Sequence, residues 1–489
     1  MNKPMRRVAV FCGLLILALL LRVNWVQFVQ AEELQTDPNN KRVDIARYAN
    51  PRGDIIVEDE PITGSEETDG ALFKYRRTYT DGPMWAPVTG FASQAFGTSL
   101  LEGVYDSILT GDDDRLFFSR TIDMLTGKDR TGGNVVTTLN ADAQRAAWEA
   151  MGDKTGAVAA IDPRTGAILA LVSKPSYDPG SFAGLSSEDG EAWEALQKEQ
   201  NPDEPMLNRA LRETYPPGST FKVVTAAAAL EDGSLVDDVD EETDYPEPYL
   251  LPQTDGQELD NQIKGKCEEA SIREALMWSC NTVFAGISDD LRNEKMIEAA
   301  ERFGFNEELF VPVRALASAY PEADRPQNAM AGIGQASVQA TPLQMAMVAA
   351  AVANNGSLME PYMVEQLVAP NLNVVEQHDA TEFRRAMSPE TAQALQDAME
   401  SVVEDGTGGN ARIDGVRVGG KTGTAQHGED NSGLPYAWFI SYAIVDDESP
   451  VAVAVVVEDG SDERDQISGG GLAAPIARAV MEAVLEDAK

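Results

Sequence analysis

Three short polar clusters carry side chains suited to chemistry, and they occur in a fixed order: Ser219-Thr220-Phe221-Lys222, Ser279-Cys280-Asn281 and Lys421-Thr422-Gly423-Thr424. A serine three residues ahead of a lysine on one helix puts hydroxyl and amine on the same side, within hydrogen-bonding reach. If the amine is buried, desolvation lowers its pKa and leaves a neutral base able to take the serine proton. That is the chemistry of a covalent acyl intermediate. Ser279 would then relay a proton between Lys222 and a leaving amine, and Asn281 would hold a substrate amide. Lys421 would add positive potential that keeps Lys222 neutral and attracts a carboxylate, with Thr422 and Thr424 as its hydroxyl partners.

The surrounding pattern decides whether these residues are more than helix caps and surface charges. Tyr215-Pro216-Pro217-Gly218 is an extended approach, and no breaker follows until Gly233, so Ser219 falls in the first turn of a helix. Phe221 to Leu230 is apolar nearly all round, which predicts a buried helix and a costly lysine. The helix N-terminus adds backbone N–H groups where an oxyanion would develop. Ser279-Cys280-Asn281 follows a helical pattern from Ala270 to Trp278 and is expected on a turn between two helices. Lys-Thr-Gly occurs twice, at 154–156 and 421–423. Lys154 precedes the serine and reads as an ordinary turn. Lys421 follows Val416-Arg417-Val418-Gly419-Gly420, a strand whose glycines admit another backbone and whose edge can pair with an extended peptide.

A strand over 135–139, a helix over 141–151 and a hairpin from 156–161 to 167–173 open this part of the chain. Strands over 437–445 and 451–458 and a helix over 472–485 close it. Strands at both ends predict one sheet assembled from distant segments and covered by helices. The middle reads as mostly helical, apart from an acidic surface loop over 231–257. Before residue 130 the pattern is a modest α+β module: a turn into a strand at 50–57, a Gly/Glu/Asp-rich loop through Gly70, and a helix between 97 and 112.

The N-terminus reads as a membrane anchor. Lys3, Arg6 and Arg7 precede an apolar run over 8–21, which as a helix rises only about 21 Å against a hydrocarbon core of roughly 30 Å. Continuing to Phe28 gives about 32 Å, with Arg22 snorkelling and Trp25 at the interface. Cations before the span and Glu32 and Glu33 after it place the body outside the cytoplasm. A signal peptide cleaved after Val29-Gln30-Ala31 is the rival reading.

Composition narrows the function classes. At 489 residues, two or three folded units are expected. The net charge of −41 argues against nucleic acid as a partner and fits a solvated, self-repelling surface. Two histidines and no paired ligand motif leave no metal expected. Of three cysteines, Cys267 and Cys280 could form a disulfide in an oxidising compartment.

The ordered set S-x-x-K, S-x-N, K-T-G resembles that of penicillin-binding proteins. With Tyr215-Pro216-Pro217-Gly218-Ser219, Gly334-Gln335 and Thr341-Pro342-Leu343-Gln344, the chain looks most like class B members of the actinobacterial type A group. The resemblance implies a serine transpeptidase/β-lactamase-like α/β (α+β) fold, an antiparallel sheet covered by helices. It implies a cytoplasmic tail at 1–7, an anchor at 8–28, an N-terminal pedestal module at 33–130 and a transpeptidase domain at 131–489. It further implies peptidoglycan D,D-transpeptidation through a Ser219 acyl-enzyme, inhibition by β-lactam antibiotics, and an oxyanion hole from the backbone N–H groups of Ser219 and Thr424. Catalytic roles would fall to Ser219, Lys222, Ser279 and Lys421, and substrate binding to Asn281, Thr422, Gly423 and Thr424. No cofactor is implied. The partners would be stem peptides, a separate glycosyltransferase and other cell-wall synthesis proteins. No E-D-x-x-F-x-x-H glycosyltransferase motif is present, and no E-x-x-L-N loop that would position a deacylating water. Cys280 departs from the aspartate of the middle motif. A D,D-carboxypeptidase or endopeptidase using the same site, and an acylable cell-wall scaffold, are the alternatives.

Overall fold

From Tyr436 to Val457 apolar residues occupy nearly every position rather than alternate ones, and strands of that kind need cover on both faces. The computed structural model, which describes residues 3–30, 33–34, 40–70, 73–127, 130–428, 431–460 and 463–487, provides it. Ala31 and Glu32, used in the cleavage and charge-asymmetry readings, lie outside the described residues.

The strands of the two larger sheets are β1 (Ile55–Val57), β2 (Glu60–Pro61), β3 (Asn134–Thr137), β4 (Gly156–Ile161), β5 (Ile168–Lys174), β6 (Val364–Val368), β7 (Val374–Gln377), β8 (Arg417–Ala425), β9 (Tyr436–Val445) and β10 (Glu448–Val457). The principal helices are α1 (Lys3–Asn24), α2 (Phe117–Thr126), α3 (Ala141–Met151), α4 (Lys222–Asp232), α5 (Asn281–Arg302), α6 (Arg325–Ala331), α7 (Pro342–Ala353), α8 (Pro389–Glu404) and α9 (Ala474–Asp487).

The main sheet runs β8-β9-β10-β4-β5 and is antiparallel throughout, joining segments nearly 300 residues apart in sequence, as expected. Successive side chains on a strand point to opposite faces. Trp438, Ile440 and Tyr442 therefore enter one core with α4 and α7, while Ala437, Phe439 and Ala443 enter another with α3 and α9. Helix α7 is buried at every position, which is why its sequence shows no polar face.

The second sheet, β7-β6-β3-β1-β2, draws strands from both sides of residue 130: β1 lies parallel to β3, and β3 antiparallel to β6. Strands β6 and β7 correct the mostly helical expectation for the middle of the chain. They are short and rich in Glu and Gln; β6 is held by the distant β3, and β7 adds to its edge as a hairpin. The expected loop through Gly70 likewise contains a strand, Thr63–Glu67, paired with Tyr75–Tyr79. There the acidic composition signals a cross-strand pair, Glu66 opposite Arg76 with an ion pair between them, rather than disorder. The helix expected between 97 and 112 is two short ones, Leu100–Val104 and Asp106–Thr110. The acidic 231–257 segment is not wholly solvated: Val236, Val239 and Leu251 are buried, and the Tyr245 ring lies against Gly286 of α5.

Helix α1 continues as a π-helical turn to Val29, and Lys3–Val29 is long and apolar enough to cross a membrane. It extends past the expected 8–28 at both ends and is consistent with a single-pass anchor.

The N-terminal module is held by buried charge. Arg52 and Arg77 both bond the Glu102 carboxylate, which is fully buried, and Arg52 also reaches Asp106 Oδ1 at 2.7 Å. Removing one partner of such a cluster strands the others without solvent. Glu102→Gln is expected to destabilise the module by about 3–5 kcal/mol, visible as a lowered melting transition; an unchanged melt would show that the cluster contributes no net stability.

Candidate active site

The approach to Ser219 is fastened before the serine is reached. Tyr215 bridges to Ala340, its hydroxyl donates to Glu458 Oε1 at 2.6 Å, and Trp438 Nε1 donates to the Pro216 carbonyl at 3.1 Å. Gly218, at φ +53°, donates its N–H to the Gly334 carbonyl at 2.9 Å. A Cβ at Gly334 would lie 2.0 Å from the Gly218 oxygen, and one at Gly423 3.0 Å from Thr220 Cγ2. Glycine at these positions lets the serine turn, the 334 loop and β8 meet. Ser219 lies in a 3₁₀ turn, Gly218–Phe221, that leads directly into α4. Its N–H, in the first turn, has no intrahelical acceptor.

Lys222 is completely buried. Its Nζ donates to the Ser279 carbonyl and to Asn281 Oδ1, both at 2.7 Å, and lies 3.3 Å from Ser279 Oγ. Lys421, also fully buried, bonds Ser279 Oγ at 2.9 Å and the Thr422 carbonyl at 3.0 Å. One serine hydroxyl thus bridges two amines. Burial holds Lys222 well below the ordinary lysine range, with the Lys421 charge as a second cause. Burial alone pushes Lys421 down to about 7. A neutral Lys222 amine has two N–H donors, which the two carbonyl-type oxygens take, and one lone pair left for a hydroxyl.

Among the described residues no hydrogen bond joins Ser219 Oγ to Lys222, contrary to the direct pair expected from their spacing. Ser279 and Asn281 hold the Lys222 amine. Ser219 instead is half-buried in a groove of about 420 Å³, with Asn281 and Thr424 on its walls. Thr422 does not line that groove: its side chain is buried and its hydroxyl pairs with Thr407 Oγ1 at 2.8 Å. Two residues apart, Thr422 and Thr424 share the face of β8 opposite Lys421, and of the two Thr424 lines the groove. Asn281 is engaged at both ends, since its Nδ2 also donates to the Asp260 carbonyl at 3.1 Å.

Ser279 has φ +59°, a left-handed conformation that bends the chain between the helix Ile272–Met277 and α5. Cys280, the N-terminal flank of α5, is disulfide-bonded to Cys267. It offers α5 no side-chain cap, and Asn261 supplies one from a distance: its Oδ1 accepts from the N–H groups of Asn281 (2.6 Å) and Thr282 (3.1 Å). Sequence reasoning missed Asn261, because a cap from another segment leaves no local signature. It also missed the groove walls from Leu251, Gln257 and Leu259 on one side and Gln327, Met330 and Ile333 on the other.

Comparison with known proteins agrees with this geometry. The family described as the penicillin-binding protein transpeptidase domain matches residues 156–482, and that of the penicillin-binding protein A dimerisation domain matches residues 52–135. The chain is 41% identical over 500 residues to the peptidoglycan D,D-transpeptidase PbpA of Mycolicibacterium smegmatis, covering 100% of each. It is 41% identical over 502 residues to PbpA of Mycobacterium tuberculosis, covering 99% of each. The crystal structure of the M. tuberculosis protein superposes with a TM-score of 0.82 at 40% identity, over 90% of this chain and 100% of that one. Its penicillin G acyl-enzyme complex gives the same TM-score and identity over 89% and 100%.

The remote cap yields a test. Asn261→Ala should cost about 1–2 kcal/mol through two freed N–H groups of α5, read as a lowered melting temperature, together with slower modification of Ser219 as Ser279 and Asn281 loosen around Lys222. A melt and a modification rate like those of the parent would show that Asn261 does not hold the turn.

Proposed function

The chain belongs to the penicillin-binding protein transpeptidase family, and from that premise we propose that it is a peptidoglycan D,D-transpeptidase working through a Ser219 acyl-enzyme. The observation that carries this reading is the Lys222 amine, fully buried, its proton affinity lowered by that burial, and tied to Ser279 and Asn281 beside the groove that holds Ser219.

Lys222 takes the proton from Ser219 Oγ as the oxygen attacks the penultimate D-Ala carbonyl carbon of a stem peptide. The backbone N–H groups of Ser219 and Thr424 bind the oxyanion. Collapse breaks the amide bond, and the leaving amine receives the proton from Lys222 through Ser279 as the terminal D-Ala departs. An amine on a neighbouring strand then attacks the ester carbon, its proton returns through Lys222 to Ser219 Oγ, and the cross-link is complete. Thr424 and Lys421 hold the terminal carboxylate, Gly423 lets β8 lie against the serine turn, and Asn281 contacts the donor amide while fixing Lys222. Both ends of the Asn281 side chain are fixed, by Lys222 and by the Asp260 carbonyl, so it meets the donor amide in a set orientation.

The anchor at 8–28, with a cytoplasmic tail at 1–7, places the pedestal (33–130) and the transpeptidase domain (131–489) outside the cytoplasm, where stem peptides are. The chain would take glycan strands polymerised by a separate glycosyltransferase and work beside other cell-wall synthesis proteins.

Purified protein given a stem-peptide mimic and an amine acceptor should form the cross-linked product; hydrolysis alone would overturn transpeptidation in favour of a carboxypeptidase. Lys222→Ala should reduce labelling by a fluorescent penicillin at least about 1000-fold with an unchanged circular dichroism spectrum; labelling at the parental rate would remove Lys222 as the base. The pH profile follows from the two lysines. Burial and the neighbouring Lys421 charge hold Lys222 well below the ordinary lysine range, whereas Lys421 is a cation below about 7 and loses its charge above it. Acylation by a carboxylate-bearing β-lactam should therefore fall as pH rises through 7, and Lys421→Ala should flatten that fall. A parental fall in Lys421→Ala would assign it to another group.

A further inference from the structure

Outside the anchor, large exposed apolar side chains concentrate at one end of the N-terminal module. Helix α2 bears Phe117, Phe118, Met124 and Leu125, which are 57%, 79%, 81% and 82% exposed. At 100° per residue these four and Thr121 fall in one stripe about 120° wide. Arg120, on the flank of the stripe, ties the helix to the module by donating to the carbonyls of Gly111 and Asp112. The stripe itself faces outward, as the exposure of its four apolar side chains shows. It continues onto neighbouring elements, because Arg115 pairs with Glu376 of β7, where Val374 is exposed, and Val104 is exposed beside Tyr105, a phenol close to both Arg115 and Glu376. Ten helical residues with an uncovered apolar face are marginal in water.

The path of the chain says what covers this face. Residues 30–40, between the spanning helix and the first helix of the module, can extend at most about 40 Å. The chain enters through Lys41–Arg47, and Arg47 Nε bonds Asp106 Oδ2 at 3.1 Å, two residues from Val104. Ser107, on the same helix as Asp106, bonds Asp113 at 2.9 Å, and Asp113 opens the turn that leads into α2. The apolar stripe therefore adjoins the point at which the anchor delivers the module. Exposed Lys41 and Arg42 at that entry suit lipid phosphates in a chain of net charge −41. A second copy is the rival occupant, since the helix lies within the stretch matched by the dimerisation-domain family; one face of a helix about 15 Å long is small against the roughly 800 Å² per partner of a stable interface, and the test below separates the two.

We propose that α2 is an interfacial helix, lying in the plane of the bilayer surface with Phe117, Phe118, Met124 and Leu125 among the headgroups and upper acyl chains, so that the module stands on the membrane at two points rather than swinging on a tether. Helices of this kind bury their apolar face about 5–10 Å into the boundary. The inference rests on the reading of the N-terminal helix as a span and not on the chemistry at Ser219, so penicillin labelling and the membrane measurement fail independently.

The test uses the full chain in nanodiscs of phosphatidylcholine and phosphatidylglycerol, one copy per disc, with Cys12→Ser and a single nitrobenzoxadiazole label on Phe118→Cys. The label should emit to the blue of the same label on Phe310→Cys, an exposed apolar position elsewhere in the fold, and should lose about half its intensity to lipids spin-labelled near the headgroup. Labels at 118 and 310 that behave alike in single-copy discs would overturn the proposal. A blue shift confined to discs loaded with two copies would overturn it in favour of a dimer contact. Met124→Cys, labelled in the same way, is a second position on the stripe and must repeat the result.

Discussion

Two ammonium-type side chains share one water-free volume at the centre of this protein, with no carboxylate among the hydrogen-bond partners of either in the described residues. Moving a charge of that size out of water costs several kcal/mol even after relaxation, and a group without a counter-ion sheds the charge instead. The enzyme depends on that outcome, because a protonated Lys222 could not accept the serine proton. The shell around it is built accordingly. Neutral oxygens from Ser279 and Asn281 take the amine hydrogens, and Lys421 discourages protonation further without offering an acceptor.

Keeping that volume dry is the work of the fold. Helix α4 is buried from Lys222 to Ala229, α7 along its whole length, and β9 and β10 on both faces, and the site opens to solvent at the groove beside Ser219. The composition fits this: the apolar residues crowd into a few continuous runs, while most of the 80 acidic residues are left for the surface. The long-range antiparallel sheet has a related role. It holds β8 at its edge, where one side of the strand is paired with β9 and the other is open to an extended peptide.

Close approach is the second requirement, and it is met by glycines and by links between segments far apart in sequence. Gly218, Gly334 and Gly423 bring three backbones within van der Waals contact around the serine. The Cys267–Cys280 disulfide and the Asn261 cap fasten the 260s to the left-handed turn at Ser279. Arg209 and Tyr215 converge on Glu458, fixing the approach to Ser219 against β10. The second sheet repeats the theme at larger scale, since β3 pairs with a strand of the pedestal on one side and with β6 on the other, coupling pedestal and catalytic domain through backbone hydrogen bonds.

Much of this was legible in the order of residues, and the legible part is local. The burial of α4 follows from its all-apolar pattern, α3 from an asparagine cap and a glycine stop, and the β4–β5 hairpin from two apolar runs around Asp162-Pro163-Arg164-Thr165-Gly166. The three clusters were likewise recognisable from residue type and spacing. What their spacing could not supply was orientation. Which face of β8 is turned to the groove is decided by the sheet, and the Lys222 amine goes to Ser279 and Asn281, 57 and 59 residues further along the chain. Strands β6 and β7 and the Asn261 cap were invisible for the same reason. Propensity and periodicity report what a segment does with its own neighbours, whereas a strand partner, a remote cap and the choice of hydrogen-bond acceptor are free energies of contacts that exist only once the chain has closed on itself.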